Sequence, residues 1–250
     1  MTGVLPIALE ESTKTLQVVL AGGKEYVGVM KLHGDVDHDK LNRVFKEFTG
    51  RIYQRPPLRA SVKRRIRIRE VYQSQILEVE GRNVLFKIAC QSGTYIRKII
   101  HDIGEVLGCG AHMAELRRIR AGPYTEDKNL VRLQDLSDAI ADWKQKGDEE
   151  PLKKVIMPVE TSIELLAKVY VKDSAVDAIC HGAHLAIPGI VKLSSKIKPE
   201  ELTAILTLKG ELIALGKAKM STEEILEKDH GIAIKTERVI MQPGTYPKTW

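Results

Sequence analysis

The sequence is poor in cysteine and in aromatic residues. Its three cysteines, Cys90, Cys109 and Cys180, lie far apart in the 250-residue chain and form no CxxC pair. A disulfide framework is therefore not expected, and the ligand spacing of a zinc ribbon is absent. Aromatic residues make up 5% of the chain and hydrophobic residues 43%. We expect a mainly aliphatic core, large enough for one large domain and one small domain.

Long apolar runs and acidic excess are also lacking. No apolar run approaches the roughly 20 residues that span a bilayer. The N-terminus has no basic segment followed by an apolar stretch, so no secretory signal is visible. We therefore expect a reducing, cytoplasmic setting. The net charge is +6, which favours a polyanionic partner without specifying a fold.

Periodicity and turn signals predict mixed α and β structure before Lys168. The first helix should bury Leu9, Leu16 and Leu20, and Asp37 should cap the second. The pair Pro56-Pro57 excludes a helix interior, so a loop is expected there. The turn Gly81-Arg82-Asn83 predicts a hairpin. The predicted helices cover about 8–20, 38–49, 94–107 and parts of 133–165, and the predicted strands cover 26–32, 75–79 and 84–90.

Composition changes near Lys168, and the elements that follow are short. A brief helix is predicted at 175–180, and strands at 202–208 and 212–219 flank a turn at Lys209-Gly210. Short strands with close turns are typical of a small β-barrel.

Two groups of cations are candidates for contact with nucleic acid. Residues 51–69 contain eight cations and no acid. The alternation from Lys63 to Arg69 predicts a strand with four cations on one side, which would suit phosphates. A solvated surface is the alternative. The second group is Arg117, Arg118 and Arg120, and it suits either phosphate binding or salt bridges to the acids of 126–150.

Five separated segments resemble the TruB family of pseudouridine synthases, in particular its archaeal dyskerin-like members. The stretch from Val169 to Val239 resembles a PUA domain. The resemblance implies an α+β fold, with a mixed, mainly antiparallel sheet flanked by helices and a small β-barrel PUA domain. It implies a catalytic domain at 1–167, a PUA domain at 168–242 and a tail at 243–250. The five segments are Thr2–Pro6 (TGVLP), Gly23–Tyr26 (GKEY), Gln54–Lys63 (QRPPLRASVK), Gly93–Arg97 (GTYIR) and Ala114–Gly122 (AELRRIRAG).

The resemblance implies isomerisation of uridine to pseudouridine in tRNA or rRNA, guided by H/ACA RNA, with no metal or organic cofactor. The target base leaves its stack, at a cost of a few kcal/mol. Tyr26 is expected to stack on this base and to help remove the proton from carbon. Arg97 is expected to pair with the catalytic carboxylate. Leu116 would wall the base pocket and Tyr95 would brace it, whereas plain core packing or a surface ion pair is the alternative for each of the four.

The resemblance also implies RNA contacts and protein partners. The partners are a small zinc-ribbon protein, a small β-barrel protein and a kink-turn-binding protein of ribosomal type, beside guide RNA, rRNA or tRNA. The expected RNA-binding residues are Arg59, Lys63, Arg64, Arg65, Arg117, Arg118, His181 and His184.

The family's nucleophilic aspartate lies in a Leu-Asp-Pro run just before the segment that here begins at Thr2. We therefore expect the nucleophile upstream of Met1, and the chain as given to be inactive. A misassigned start codon, a partial chain and a natural remnant are the three explanations. Neither Glu10 nor Glu11 matches the motif.

Two other function classes remain open at this stage. The first is a non-catalytic RNA-binding scaffold of an RNA-modification particle. The second is an unrelated basic binding module in which the motifs match by chance.

Overall fold

The computed structural model describes residues 2–56 and 62–248, and these fold into two compact units. The first unit comprises residues 2–6 and 19–130, and the second comprises 7–18 and 131–248. Part of the predicted proline loop, including Pro57 and Arg59, lies outside the described residues.

A seven-stranded sheet forms the first unit. Its strand order is β1-β6-β2-β5-β4-β3, with β7 paired to β6. The β1–β6 pair is parallel, and the other pairs are antiparallel. This confirms the mixed, mainly antiparallel sheet. The strands are β1 (Thr2–Gly3), β2 (Lys24–Leu32), β3 (Gly50–Gln54), β4 (Arg67–Glu80), β5 (Asn83–Cys90), β6 (Ala111–Ala121) and β7 (Tyr124–Thr125).

Four helices accompany this part of the chain, and the two longest follow the predictions. The Asp37 side chain accepts a hydrogen bond from the Lys40 backbone N–H at 2.9 Å, which is the predicted N-cap. The third helix ends at Gly108, whose φ of +82° is left-handed and favours glycine. The helices are α1 (Leu16–Ala21), α2 (His38–Glu47), α3 (Ile96–Leu107) and α4 (Glu126–Asn129).

The prediction for the first helix was wrong in the type of helix and in the residues that it buries. A 3₁₀ turn at Glu10–Thr15 leads into the short α1. The three-residue period of the 3₁₀ turn rotates the side chains away from α-helical spacing. Leu9 and Leu20 are therefore exposed, whereas Val18 and Val19 are buried.

The helices α2 and α3 cover one face of the sheet. Alternate residues of β2 point to that face, so Tyr26, Met30 and Leu32 are buried together. They join one apolar cluster with aliphatic residues of α3, as the low aromatic content predicted. The largest fully buried members of this cluster are Met30, Leu41, Phe45, Phe86, Ile88, Ile99, Ile100 and Ile103.

Two predictions about the cationic segments need correction. The strand β4 begins at Arg67, so Lys63 and Arg65 precede it and the four cations do not share one strand face. The reason is that β3, its partner, ends at Gln54, opposite Arg67. The residues 111–121, which carry the second cationic group, form the strand β6 between β1 and β2, and no strand was predicted there.

The second unit contains a six-stranded sheet in the order β10-β8-β11-β12-β13-β9. The predicted hairpin is confirmed as β11 and β12. Within the described part of the tail, Tyr246 packs internally: it is buried, and its hydroxyl donates to Glu211 Oε2 at 2.6 Å. The elements are α5 (Leu133–Lys146), α6 (Glu150–Val155), β8 (Ala167–Val171), α7 (Asp173–Cys180), β9 (Leu185–Ala186), β10 (Ile190–Leu193), β11 (Leu202–Leu206), β12 (Leu212–Ala218), α8 (Thr222–Glu227) and β13 (Ile232–Val239).

Every helix within the described residues is too short or too polar to span a lipid bilayer.

The close approach of β2 and β6 leads to a stability prediction. A Cβ atom at Gly28 would lie 2.7 Å from the Glu115 carbonyl oxygen and 2.7 Å from Phe86 Cζ, closer than van der Waals contact allows. We expect Gly28→Ala to lower the free energy of unfolding by about 1–3 kcal/mol in urea titrations. Gly23→Ala is the matched control, because its Cβ would meet nothing nearer than 3.4 Å. Equal losses in the two variants would contradict this packing.

Candidate active site

Tyr26 lies in the middle of the first unit's sheet, on the face that α3 covers. Its Cα pairs with Ile88 of β5 on one side and with Arg118 of β6 on the other. Tyr26 is 8% exposed and belongs to the same apolar cluster as Ile96, the first residue of α3. The hydroxyl end is therefore the polar part of a largely apolar site.

The charge state of Tyr26 is set by two opposing influences. Burial raises the pKa of the hydroxyl above its ordinary value, and the neighbouring Cys90 thiol acts in the same direction. The Arg118 guanidinium opposes this shift, because a cation favours the ionised phenol. The hydroxyl is thus neutral at neutral pH.

Arg118 joins Tyr26 to the first strand. Its Nε donates to the Val4 carbonyl oxygen at 2.7 Å, and the Val4 N–H donates to the Arg118 carbonyl at 2.8 Å. The parallel pairing of β1 with β6 sets Gly3 opposite Arg118. The predicted RNA-binding Arg118 is therefore half-buried, and one edge of its guanidinium is occupied by the backbone.

Leu116 lies on the same face of the sheet as Tyr26. Its Cδ1 would be 3.0 Å from a Cβ at Gly28, two residues after Tyr26. The half-buried side chain packs against the cluster that contains Tyr26. Leu116, Arg118 and Tyr26 thus share one part of the sheet, and only a residue as small as Gly28 leaves room for Leu116.

The N-terminus of α3 adjoins this part of the sheet. Tyr95 is the N-cap residue, and Arg97 is exposed on the first helical turn, one residue after the buried Ile96. Sequence reasoning gave no role to Gln54, which is 3% exposed and forms two hydrogen bonds with the Tyr95 backbone. Its place at the end of a strand, directly before Arg-Pro-Pro, was the only signal available.

The other arginines of β6 are engaged in ion pairs. Arg117 forms an ion pair with Glu126, and its Nε lies 3.0 and 2.9 Å from the two carboxylate oxygens. The sequence left phosphate binding and a salt bridge to the acids of 126–150 open for Arg117, and the structure shows the salt bridge. Arg120 Nε lies 2.7 Å from Glu25. Burial acts to raise the pKa of Glu25, but the hydrogen bonds of Arg120 and Lys87 outweigh it and leave the pKa lowered. These cations are thus largely neutralised within the protein.

The cations of the basic segment are placed differently. Lys63, Arg64 and Arg65 are exposed and lie in irregular chain before β4. Arg64 Nε donates to the Pro56 carbonyl oxygen at 3.2 Å. Arg59, the fourth predicted RNA-binding residue of this segment, is outside the described residues.

The two predicted RNA-binding histidines belong to the second unit. His181 follows α7 directly, and its Nδ1 lies 2.8 Å from the Asp177 carbonyl oxygen. His184 is exposed on the loop before β9. Both lie at the surface of a unit that is separate from the one that carries Tyr26 and Arg97.

Models of known families match almost the whole chain. Residues 1–96 match the TruB family pseudouridylate synthase N-terminal domain, 97–164 match the tRNA pseudouridylate synthase B C-terminal domain, and 167–240 match the PUA domain.

Curated relatives from archaea share more than half of the residues. The probable tRNA pseudouridine synthase B of Methanopyrus kandleri is 58% identical over 250 residues, which is all of this chain and 74% of that protein. The protein of the same name from Pyrococcus abyssi is 56% identical, over 100% of this chain and 75% of its own length.

Two solved structures agree closely in fold. A chain in the crystal structure of a Cbf5-Nop10-Gar1 complex superposes with a TM-score of 0.94 at 56% identity, over 98% of this chain and 75% of that one. A chain in the structure of an H/ACA RNP bound to a substrate RNA containing 2'-deoxyuridine gives 0.92 at 53% identity, over 99% and 75%.

The buried thiol beneath the site leads to a prediction about alkaline stability. Cys90 is 1% exposed, and burial raises the pKa of its thiol from 9.0 to about 11. Below pH 9 the folded and unfolded states both keep the proton. Between pH 9 and 11 the unfolded chain loses it first, so the free energy of unfolding should fall by up to about 1.4 kcal/mol per pH unit.

Cys90→Ala should remove this component in urea unfolding measured at several pH values from 8 to 11. Cys109→Ala, at a half-buried thiol, is the control for loss of a cysteine. An unchanged slope in Cys90→Ala would contradict the assignment.

Proposed function

The chain belongs to the TruB family of pseudouridine synthases, and we propose that it isomerises uridine within RNA as the catalytic subunit of an H/ACA-type particle. The proposal rests on one observation. Tyr26, Leu116 and Arg118 lie together on one face of the sheet, beside the N-terminus of α3. Family membership supplies the reaction, and this arrangement supplies the residues for it.

The reaction exchanges one bond to the ribose for another. The bond from uracil N1 to the ribose C1' breaks, and a bond from C5 to C1' forms. The C5 proton leaves, and N1 ends with a proton. We propose that an aspartate of a Leu-Asp-Pro segment N-terminal to Thr2 acts as the nucleophile. The β1–β6 pairing sets Thr2 and Gly3 opposite Arg117 and Arg118, so this segment would end beside the strand that carries Leu116 and Arg118.

Each predicted site residue has a proposed part in these steps. The Tyr26 ring offers a flat surface for the flipped base, and its neutral hydroxyl offers an acid–base group. Arg97, exposed on the first turn of α3, pairs with the aspartate and keeps it ionised. Leu116 walls the base and Tyr95 braces the site.

The proposed partners follow from the solved relatives. One relative assembles with Nop10 and Gar1, and another is part of an H/ACA RNP with substrate RNA. We propose that this chain likewise acts on tRNA or rRNA with an H/ACA guide RNA, and with zinc-ribbon, β-barrel and kink-turn-binding proteins. The PUA domain, with His181 and His184, would hold the guide RNA. A cytoplasmic location is part of the same proposal.

Removal of the proposed Arg97 contact tests the reaction. In a protein that carries the Leu-Asp-Pro segment before Thr2, we expect Arg97→Ala to lower turnover at least about 100-fold. The reason is that the aspartate would no longer be held in the orientation for attack. Tritium release from uridine labelled at C5 measures the rate. Arg43→Ala, at an exposed position of α2, is the control and should keep the wild-type rate.

Wild-type turnover in Arg97→Ala would refute this role. Tight RNA binding without turnover by the extended wild-type protein would favour the scaffold. Turnover by the 250-residue chain itself would eliminate the proposal that the nucleophile lies before Thr2.

Salt dependence tests the RNA contacts of the basic segment. We expect the double variant Lys63→Ala/Arg65→Ala to reduce the slope of log affinity against log salt by about 1–2, because two phosphate contacts are lost. Filter binding to substrate RNA over a salt series measures the slope. Lys46→Ala/Lys144→Ala, which removes the same charge from exposed positions of α2 and α5, should leave it unchanged. Equal slopes in both variants would mean that only net charge matters.

A further inference from the structure

Gln54 is a buried polar residue whose side-chain amide forms two hydrogen bonds, both with the backbone of one residue. It ends β3, at the edge of the sheet, and is 3% exposed. The Tyr95 N–H donates to Gln54 Oε1 at 3.0 Å, and Gln54 Nε2 donates to the Tyr95 carbonyl oxygen at 3.1 Å. A side-chain amide offers both a donor and an acceptor, so the single side chain of Gln54 can bind both the N–H and the carbonyl group of Tyr95.

The residue that Gln54 binds begins α3. The Tyr95 carbonyl accepts from Lys98 N–H at 3.0 Å and from Ile99 N–H at 3.2 Å, and these are the first bonds of the helix. Tyr95 makes no capping hydrogen bond with its own side chain. Gln54, 41 residues away in sequence, therefore holds the helix start from outside.

The other anchor of this segment is local. Thr94 donates to the Gln91 carbonyl oxygen through its hydroxyl at 2.7 Å and through its N–H at 3.3 Å. This turn fixes the chain as it leaves β5, and it is joined to β4, because the Gln91 N–H donates to the Glu70 carbonyl oxygen at 2.8 Å and Arg69 Nε donates to the Gly93 carbonyl oxygen at 3.3 Å. Neither of these contacts with β4 involves Tyr95. The contact with Gln54 is what ties Tyr95, and with it the next residues of the helix, to the far edge of the sheet.

Resting on the proposed function, we propose that Gln54 is a positioning residue for the isomerisation: it holds the first turn of α3, and so places Arg97, two residues after Tyr95, for the carboxylate. Gln54 also opens the run that leads through Arg55 and Pro56 to the basic segment. It therefore links the chain that faces RNA to the helix that faces the reacting atoms. Because Gln54 is 3% exposed and both of its polar groups bind the Tyr95 backbone, we assign it no direct RNA contact.

Gln54→Leu removes both hydrogen bonds at similar volume, and it should slow the chemical step while RNA affinity stays the same. In the full complex of guide RNA with protein that carries the Leu-Asp-Pro segment before Thr2, we expect the single-turnover rate constant to fall about 10- to 100-fold, because a small misplacement of a catalytic group costs that much. The Kd for substrate RNA should stay within about twofold of wild type. Gln75→Leu, at an exposed glutamine of β4, is the control. All rates are measured well below the unfolding temperature of each variant.

Gln54→Glu provides a rescue. A protonated carboxyl has the acceptor and donor of the amide, whereas the ionised form has no donor. The rate in Gln54→Glu should therefore rise towards wild type as pH is lowered, adding a limb that the wild-type pH profile lacks. Because an ionised carboxyl at this buried position would also destabilise the fold, the rate at each pH is expressed per folded protein, as measured by circular dichroism.

Hydrogen exchange separates this inference from the proposed function. In Gln54→Leu the amide protons of 95–98 should exchange faster, while those of β2 and β5 keep their protection. Full wild-type rate in folded Gln54→Leu, loss of RNA affinity alone, or unchanged exchange at 95–98 would each overturn the role of Gln54. If wild-type protein that carries the Leu-Asp-Pro segment showed no turnover in the complete complex, the proposed function would fail, and the exchange result would still decide whether Gln54 holds the helix.

Discussion

The antiparallel pairing of β2 with β6 is the constraint on which the site depends. It sets Tyr26 beside Arg118 and brings Leu116 over Gly28. It also makes β6 a central strand, whose other edge is free to pair in parallel with β1. A shift of one residue in this register would turn Tyr26 away from α3 and onto the opposite face.

The cations of the first unit fall into two groups, one paired with acids inside the protein and one exposed. Two arginines of β6 are matched by acids, Arg117 by Glu126 and Arg120 by Glu25, so their charges hold strands and turns together. The cations at 63–65 are exposed, and no acid occurs between residues 51 and 69. The proposed attraction of the first unit for RNA therefore rests mainly on these exposed cations, while Arg117 and Arg120 bind acids within the protein.

Two polar contacts join the parts of the site that the sheet alone does not. Arg118 ties the first strand to the neighbourhood of Tyr26, and Gln54 ties the start of α3 to the edge strand β3. Both are at least half-buried, where an unmatched polar group is costly, so each contact is specific in its geometry. The apolar cluster packs the sheet against α2 and α3, and these hydrogen bonds join the parts of the proposed site.

Local sequence determined the elements whose signals lie within a few residues. The cap at Asp37, the helix that ends at Gly108 and the hairpin between β11 and β12 were all predicted, because caps and turns are short-range interactions. Motif resemblance likewise identified the family, and it supplied the proposed site residues. Tertiary structure alone decided that the arginine-rich residues 111–121 form a central strand, that Arg118 meets Val4, and that Gln54 meets Tyr95. These pairings join residues 41 to 114 positions apart, and only the folded sheet brings such distant groups within hydrogen-bonding distance.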